Sequence, residues 1–347
     1  MFKNTLAVLS LLFVSQVQAS DYLEAIADQH IIPVYAELKE STMDLSGTVR
    51  HLCVQPSVKN LDQTKVAYQN AFLSWQGAQH IRFGPIQVLL RMHRYQHWPD
   101  KRGSVGKHLR KFIAANDVTK LEQEVFANAS VSIQGFSALE RLLFNDKGIE
   151  QYQPDIQCEL MLAIANNLQM MSNDMYEEWT QGKDSYRHYV VTAEQGNMVF
   201  EELSELQSML LNNLYTELQL VAEQKFERPL GKSLKKAKSK RAEAWRSELS
   251  KAAIAQNLQS SKDLYVVAYA PLLKGQKLHD QILSGFDQAI TDTQGIRGPL
   301  FEAVKDEKQR AQVKKAQASV HLLKRLIGRD MAEKLQLSVG FNSLDGD

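Results

Sequence analysis

Apolar residues along this chain recur at intervals of three and four rather than two. Val66, Ala67, Phe72, Leu73 and Trp75 draw one such stripe after Pro56. Ile133, Phe136, Leu139, Leu142 and Leu143 draw a second, and Leu203, Leu206, Leu210 and Leu214 a third. A stripe at that spacing is one face of an α-helix, so a chain that repeats it predicts helices packed on helices. The pattern breaks at turn-forming clusters: Gly84-Pro85, Trp98-Pro99-Asp100, Asn145 to Gly148, Gln153-Pro154-Asp155, Gln181 to Asp184, Arg228 to Gly231 and Gly295 to Pro299. Between these breaks the helices are expected to be long. Leu335 to Phe341 alternates apolar with polar positions, but no second strand candidate stands out. It predicts at most a short extended segment near the C-terminus.

The first residues change the picture of where the protein works. Lys3 precedes an apolar run, Leu6 to Val14, interrupted by Ser10 and followed by Val17-Gln18-Ala19. This reads as a signal peptide, residues 1–19, cut after Ala19, with a buried N-terminal helix as the alternative. The run is too short to span a bilayer, no Cys follows it to take a lipid anchor, and no later window approaches about 18 uninterrupted apolar residues. No integral membrane segment is therefore expected after cleavage. About 328 residues remain, more than one hydrophobic core usually serves. The expectation is an all-α fold of two helical-bundle domains, four-helix-bundle-like and packed side by side, spanning residues 20–182 and 183–347. The boundary falls at the polar break near Gln181, within about ten residues.

Composition adds little: 44% hydrophobic and 23% charged residues is a globular balance. A formal net charge of +1 calls for neither nucleic acid nor a membrane surface as partner. The two cysteines, Cys53 and Cys158, matter more. An even pair in an exported chain predicts a disulfide, with two separate buried thiols as the alternative. A bond would close a loop of roughly 105 residues and stabilise the fold by up to about 4 to 5 kcal/mol.

Candidate chemistry is sparse, because His-Glu-x-x-His, Gly-x-Ser-x-Gly, a phosphate-cradling glycine loop and Cys-x-x-Cys are all missing. Ser137 and Glu140 stand three apart in Gly135-Phe136-Ser137-Ala138-Leu139-Glu140-Arg141, so one helical face carries both and could meet a metal or a substrate. The alternative is a polar face closed by a Glu and Arg pair. His93 and His97 have the four-residue spacing by which one helix holds a transition metal. Arg91 and Arg94 beside them favour surface or interface histidines. The basic run Lys225, Arg228, Lys232, Lys235, Lys236, Lys238, Lys240 and Arg241 faces one acid, Glu227. It could meet an anionic surface, or simply be a solvated face.

From Gly135 to Phe144 the chain resembles the imelysin family, exported bacterial proteins that share a Gly-x-His-x-x-Glu motif in a similar phrase. Trp75 with Arg82-Phe83-Gly84-Pro85, Arg94 with Trp98-Pro99-Asp100-Lys101-Arg102, Arg228-Pro229-Leu230-Gly231 and Gly340 to Asp347 are similar to further family landmarks in the same order. The resemblance covers essentially the whole chain after residue 19. It implies two helical bundles with a site between them, a periplasmic location and a link to iron acquisition. The family's founding description is a metallopeptidase. Ser137 departs from the motif, which has His there, and a neutral hydroxyl is a poor ligand for iron or zinc. Glu140 remains as the metal-ligand candidate for iron or another divalent cation, weakened by Ser137, with Asp345 and Asp347 as potential contributors.

Compartment and resemblance together imply a non-enzymatic periplasmic binding or accessory protein for iron or haem uptake. Its ligand would lie near Ser137, Glu140, Arg141, Arg82, Asp100 and Trp98, and its partner would be an outer-membrane or periplasmic uptake component. One alternative is an imelysin-type metallopeptidase using Glu140, which needs a metal-activated water and at least two further ligands. The other is a degenerate structural member that has lost its metal site.

Overall fold

The computed structural model describes residues 21–145 and 155–340. The expected signal peptide, residues 1–19, and the tail residues Phe341, Asp345 and Asp347 lie outside the described residues. A π-turn, Ala25–Ile31, runs straight into α1 (Ile32–Val54), which buries Tyr35, Leu38, Leu45, Val49 and Leu52 along one face. Pro56 stops it. After three residues Ser57 opens α2 (Val58–Ala78) by accepting the Asn60 N–H at 3.1 Å. Such a cap supplies about 1 kcal/mol. The short connection returns α2 antiparallel against α1.

The chain from residue 79 to residue 134 departs from the expected long helices. It forms a 3-10 turn, Gly84–Leu90, a short helix, Arg91–Tyr95, and then α3 (Ser104–Ala115) and further short turns. α4 (Gly135–Leu143) carries the Ser137 and Glu140 pair. α5 (Ile156–Thr180) is capped by Asp155, which accepts the N–H groups of Gln157 and Cys158, and it packs along α1. Cys53 near the end of α1 and Cys158 at the start of α5 form the disulfide, with Cα atoms 5.7 Å apart. Trp75 and Trp179 are fully buried, Trp75 stacked on Tyr95 at 4.5 Å and Trp179 on Tyr35 at 5.8 Å.

The polar turn at residues 181–184 follows α5. α6 (Leu203–Gln219) buries Leu206, Leu210, Leu211, Leu214 and Leu218, then widens into a π-turn, Leu220–Glu227. α7 (Ser250–Ala268), α8 (Lys277–Gln294) and α9 (Glu307–Arg325) complete a second group of helices, α8 lying against both α7 and α9. α7 also packs on α2 and on the first π-turn, so it joins the two groups, and the buried side chains form one continuous apolar cluster.

Among the described residues there is no strand. Gln336 takes a left-handed φ of 55° and ends the last helix. The alternating residues Leu337 and Val339 then pack on the core without a partner strand, and the Gly340 N–H donates to Asn212 Oδ1 at 2.8 Å. No described helix is long and apolar enough to cross a membrane.

Candidate functional site

The site starts from a glycine. Gly135 has φ +70°, and a Cβ there would lie 2.2 Å from the carbonyl oxygens of Arg94 and Tyr95. Only glycine allows α4 to begin against the Arg91–Tyr95 helix. From that start α4 sends Phe136, Leu139, Leu142 and Leu143 into the core. Ser137 and Arg141 stay half-exposed, and Glu140 is buried at 6% exposure.

Glu140 is held by the loop at residues 242–249, which leads into α7. Its Oε1 accepts the Arg246 N–H at 3.0 Å, the Ser247 N–H at 3.0 Å and the Ser247 hydroxyl at 2.9 Å. Burial raises the pKa of this carboxyl, and the Ser247 donors and the Arg246 charge oppose the rise. The loop is strained: Ala244 and Glu248 take left-handed φ values of 46° and 61°, each costing of order 1 kcal/mol or more. Such a backbone persists where its surroundings over-determine it. Here Glu140 grips Arg246 and Ser247, while Glu243 is held from within. Gln96 donates to Glu243 at 2.9 Å, and Lys225 Nζ pairs with Glu243 at 2.9 Å. The same ammonium donates to Gln76 at 2.6 Å, Gln79 at 2.9 Å and Asn257 at 2.6 Å.

Between α4, this loop and the segment at residues 96–103 lies a recess of about 150 Å³. Ser137, Glu140, Arg141, Trp98 and Asp100 line it, together with His97, Lys101, Arg228, Lys240, Arg241, Trp245 and Arg246. Cations dominate the wall. Asp100 is engaged by the start of α3, accepting the N–H groups of Ser104 at 2.8 Å and Val105 at 3.0 Å and the Ser104 hydroxyl at 2.9 Å. Burial pushes its pKa up, but these donors outweigh it and hold the carboxyl below its usual value. Burial lowers the pKa of His97, which shares the Ser104 hydroxyl at 3.0 Å.

The guanidiniums are placed by their neighbours. Arg246 lies over the Trp245 ring at 4.2 Å, and the Lys240 ammonium approaches the same ring at 5.1 Å. Arg141 rests on Gly106, where a Cβ would come within 2.7 Å of Nη1. Burial and then Arg141 lower the pKa of Arg246. Among the described residues Arg141, Lys240, Arg241 and Arg246 form no ion pair with an acid.

Several expectations need correcting. Arg82 does not line the recess; it pairs with the fully buried Glu217 at 3.1 Å. The helix carrying His93 ends at Tyr95 and Gln96 is extended, so His93 and His97 do not share a helical face. His93 is exposed, while Arg91 and Arg94 turn inward onto Glu178 and onto Gln134 and Asn167. Lys225 is buried, not part of a solvated basic face; Lys232, Lys235, Lys236, Lys238, Lys240 and Arg241 are exposed. Sequence reasoning missed Trp245 and Arg246 altogether, because neither stands in a motif or a periodic stripe. No three His, Cys, Asp or Glu side chains converge among the described residues. Among the described residues the recess therefore does not fit a transition metal: of its two carboxylates Glu140 is bonded through Oε1 and Asp100 is engaged at the start of α3, and beside them stand only the His97 imidazole and the Ser137 hydroxyl, among cations.

Comparison with known proteins gives this geometry its relatives. The Imelysin family profile matches residues 31–327. The chain belongs to the imelysin family. Over 210 residues it is 23% identical to Iron-regulated protein A of Synechococcus elongatus, covering 60% of this chain and 54% of that relative. The chain thus spans about half the length of the curated relative it matches. The crystal structure of an imelysin-like protein from Psychrobacter arcticum superposes with a TM-score of 0.79 at 20% identity, covering 94% of this chain and 98% of the other. An iron-regulated protein A precursor from Parabacteroides distasonis gives 0.77 at 16% identity, covering 92% and 95%. At these identities the structural likeness is one of fold. It places this chain among imelysin-like, all-α proteins.

Proposed function

We infer that this imelysin-family chain is a non-enzymatic binding or accessory protein of iron or haem uptake, exported to the periplasm by residues 1–19. The observation that carries the reading is the use made of Glu140. Its Oε1 is bonded to two backbone N–H groups and one hydroxyl of a strained loop, so the motif carboxylate shapes a recess between α4 and α7's leading loop. A walled, preformed recess with aromatic and charged sides is what ligand capture needs. A metallopeptidase needs a water activated by a metal that protein side chains hold, and among the described residues the donors around Glu140 do not make up that set. An outer-membrane or periplasmic uptake component remains the proposed partner.

Titration calorimetry of the chain with haem, ferric chelates and iron salts, beside a pull-down from an outer-membrane fraction, tests this reading. Saturable binding of at least one iron-bearing ligand is expected; silence in every arm sinks it. Ser137 favours a second reading, a structural member that kept the fold and lost its metal site. Ser137→His decides between them: iron binding that appears only in this variant supports the degenerate reading.

A further inference from the structure

We propose that the recess between α4 and the 242–249 loop receives a small polycarboxylate anion, gripped by Arg141 and Arg246, and that iron arrives already bound to that anion. This rests on the binding-protein reading above and adds its ligand class. Four cations surround the recess without an acidic partner among the described residues: Arg141, Lys240, Arg241 and Arg246. Like charges gathered in a recess repel one another, and an anion carrying several charges relieves the repulsion where water alone does so poorly. Asp100 and Glu140 offset part of this charge, Glu140 acting on Arg246, but the cations of the wall outnumber them, and the hydrogen-bonding capacity of Asp100 is taken by the start of α3 and that of Glu140 Oε1 by the loop backbone.

The two guanidiniums are preorganised: Arg246 is laid on Trp245, and Arg141 occupies the room that Gly106 leaves. A guanidinium fork matches the two oxygens of a carboxylate, and holding the fork in advance reduces the entropy lost on binding. A volume of about 150 Å³ suits a molecule of hydroxy-tricarboxylate size. An outer groove of about 790 Å³ adjoins the recess, sharing Lys101, Arg228 and Arg241 with it and adding Lys232, Lys236 and Lys238 against two acids, Glu223 and Glu227. That basic approach would steer an anion inward. The same field repels a bare metal cation, which explains how a chain with Ser137 could serve iron without ligating it.

Calorimetry on the full chain tests the assignment with citrate, ferric citrate, inorganic phosphate, haem and Fe²⁺ salt as separate titrants. Citrate and ferric citrate are expected to bind, more weakly as ionic strength rises. Arg141→Ala and Arg246→Ala should each weaken citrate by about tenfold or more. Arg246→Lys, which keeps the charge and loses the fork, should fall between, and the exposed Arg297→Ala should leave binding unchanged. Thermal melts of each variant verify the fold. Citrate binding that survives both alanine variants overturns the proposal, as does phosphate binding without citrate, or Fe²⁺ binding that Glu140→Gln abolishes. Haem binding without citrate or ferric citrate overturns it while leaving the iron-uptake reading intact. Citrate binding without any iron-bearing ligand supports the anion site but overturns its iron cargo, and sinks the iron-uptake reading with it.

Discussion

Two polar regions hold the same strained loop and treat charge differently. At residue 243, Lys225 and Glu243 are each 1% exposed in their side chains, and the ammonium lies within 2.9 Å of four oxygens. A buried cation in such a shell is satisfied and has nothing left to offer a ligand. At residue 246, Arg141, Arg246, Lys240 and Arg241 face a recess with no acid paired to them among the described residues. The difference is one of solvent. A charge in the dry interior must be paired to exist at all, whereas a charge at the edge of a cleft can stay unpaired in water until a ligand replaces that water.

The largest effect expected from breaking this contrast is in the dry region. Lys225→Met leaves the Glu243 carboxylate buried without its cation, and denaturant unfolding should show a loss of about 4 kcal/mol. The double variant Lys225→Met, Glu243→Gln should recover much of it. A loss below about 1 kcal/mol for the single variant would mean that water reaches the pair and that the contrast is false.

Glu140→Ala comes next. It strands two backbone N–H groups, leaves the Ser247 hydroxyl only the Ala244 carbonyl at 3.2 Å, and should cost about 3 kcal/mol. Hydrogen exchange should quicken at the Arg246 and Ser247 amides while the α1 and α5 amides stay protected. Equal quickening everywhere would show that Glu140 supports the whole fold, not the loop.

A third expectation concerns pH. His30 and His80 meet at 2.7 Å between their Nε2 atoms in the interior, where Ser260 and Gly77 face His80 and Arg82 is the nearby charge. Burial lowers the pKa of His30 from 6.5 to about 4 and that of His80 well below its usual value. The unfolded chain therefore takes up protons that the folded chain refuses. Stability from His30 is complete above 6.5 and is lost as pH falls toward about 4, with about 2 kcal/mol gone near pH 5. Glu140 has the opposite sign, because its raised pKa favours the folded state as pH falls. Removing Glu140 should steepen the acid slope, and His30→Gln should flatten it. Melts between about pH 7 and pH 5 report both, and a wild-type slope that rises toward acid would refute the assignment.

The smallest effect belongs to the cleft. Arg241 is exposed and unpaired among the described residues, so Arg241→Ala should change stability by no more than about 0.5 kcal/mol. A larger loss would move Arg241 into the structural class with Lys225.

How much was legible in the chain follows from which interactions are local. The helical stripes were readable because spacing on one helix is a property of neighbouring residues; Phe72, Trp75, Phe136, Leu139 and Leu210 are all buried on the helices they predicted. Between residues 79 and 134 the structure has mostly short pieces where the pattern predicts long helices, because Pro and Gly mark breaks without saying how short the pieces between them are. Arg82 was grouped with Glu140 on sequence phrasing alone, and its guanidinium lies with Glu217 instead. Lys225 read as one of a row of surface cations. The four oxygens that meet it come from three other segments, the end of α2, the 242–249 loop and α7, so nothing adjacent in sequence announced its burial.

The amino-acid sequence by itself determined the all-α class and the Cys53 and Cys158 pair. Each depends on residue type and short spacing, or on a count of two. Tertiary structure alone decided that Glu140 serves a loop more than a hundred residues away, that Trp245 and Arg246 complete the recess, and that one lysine of the basic run lies inside while its neighbours stay in water. These outcomes depend on which distant segments exclude solvent together, and solvent exclusion is settled by packing, not by the order of residues along the chain.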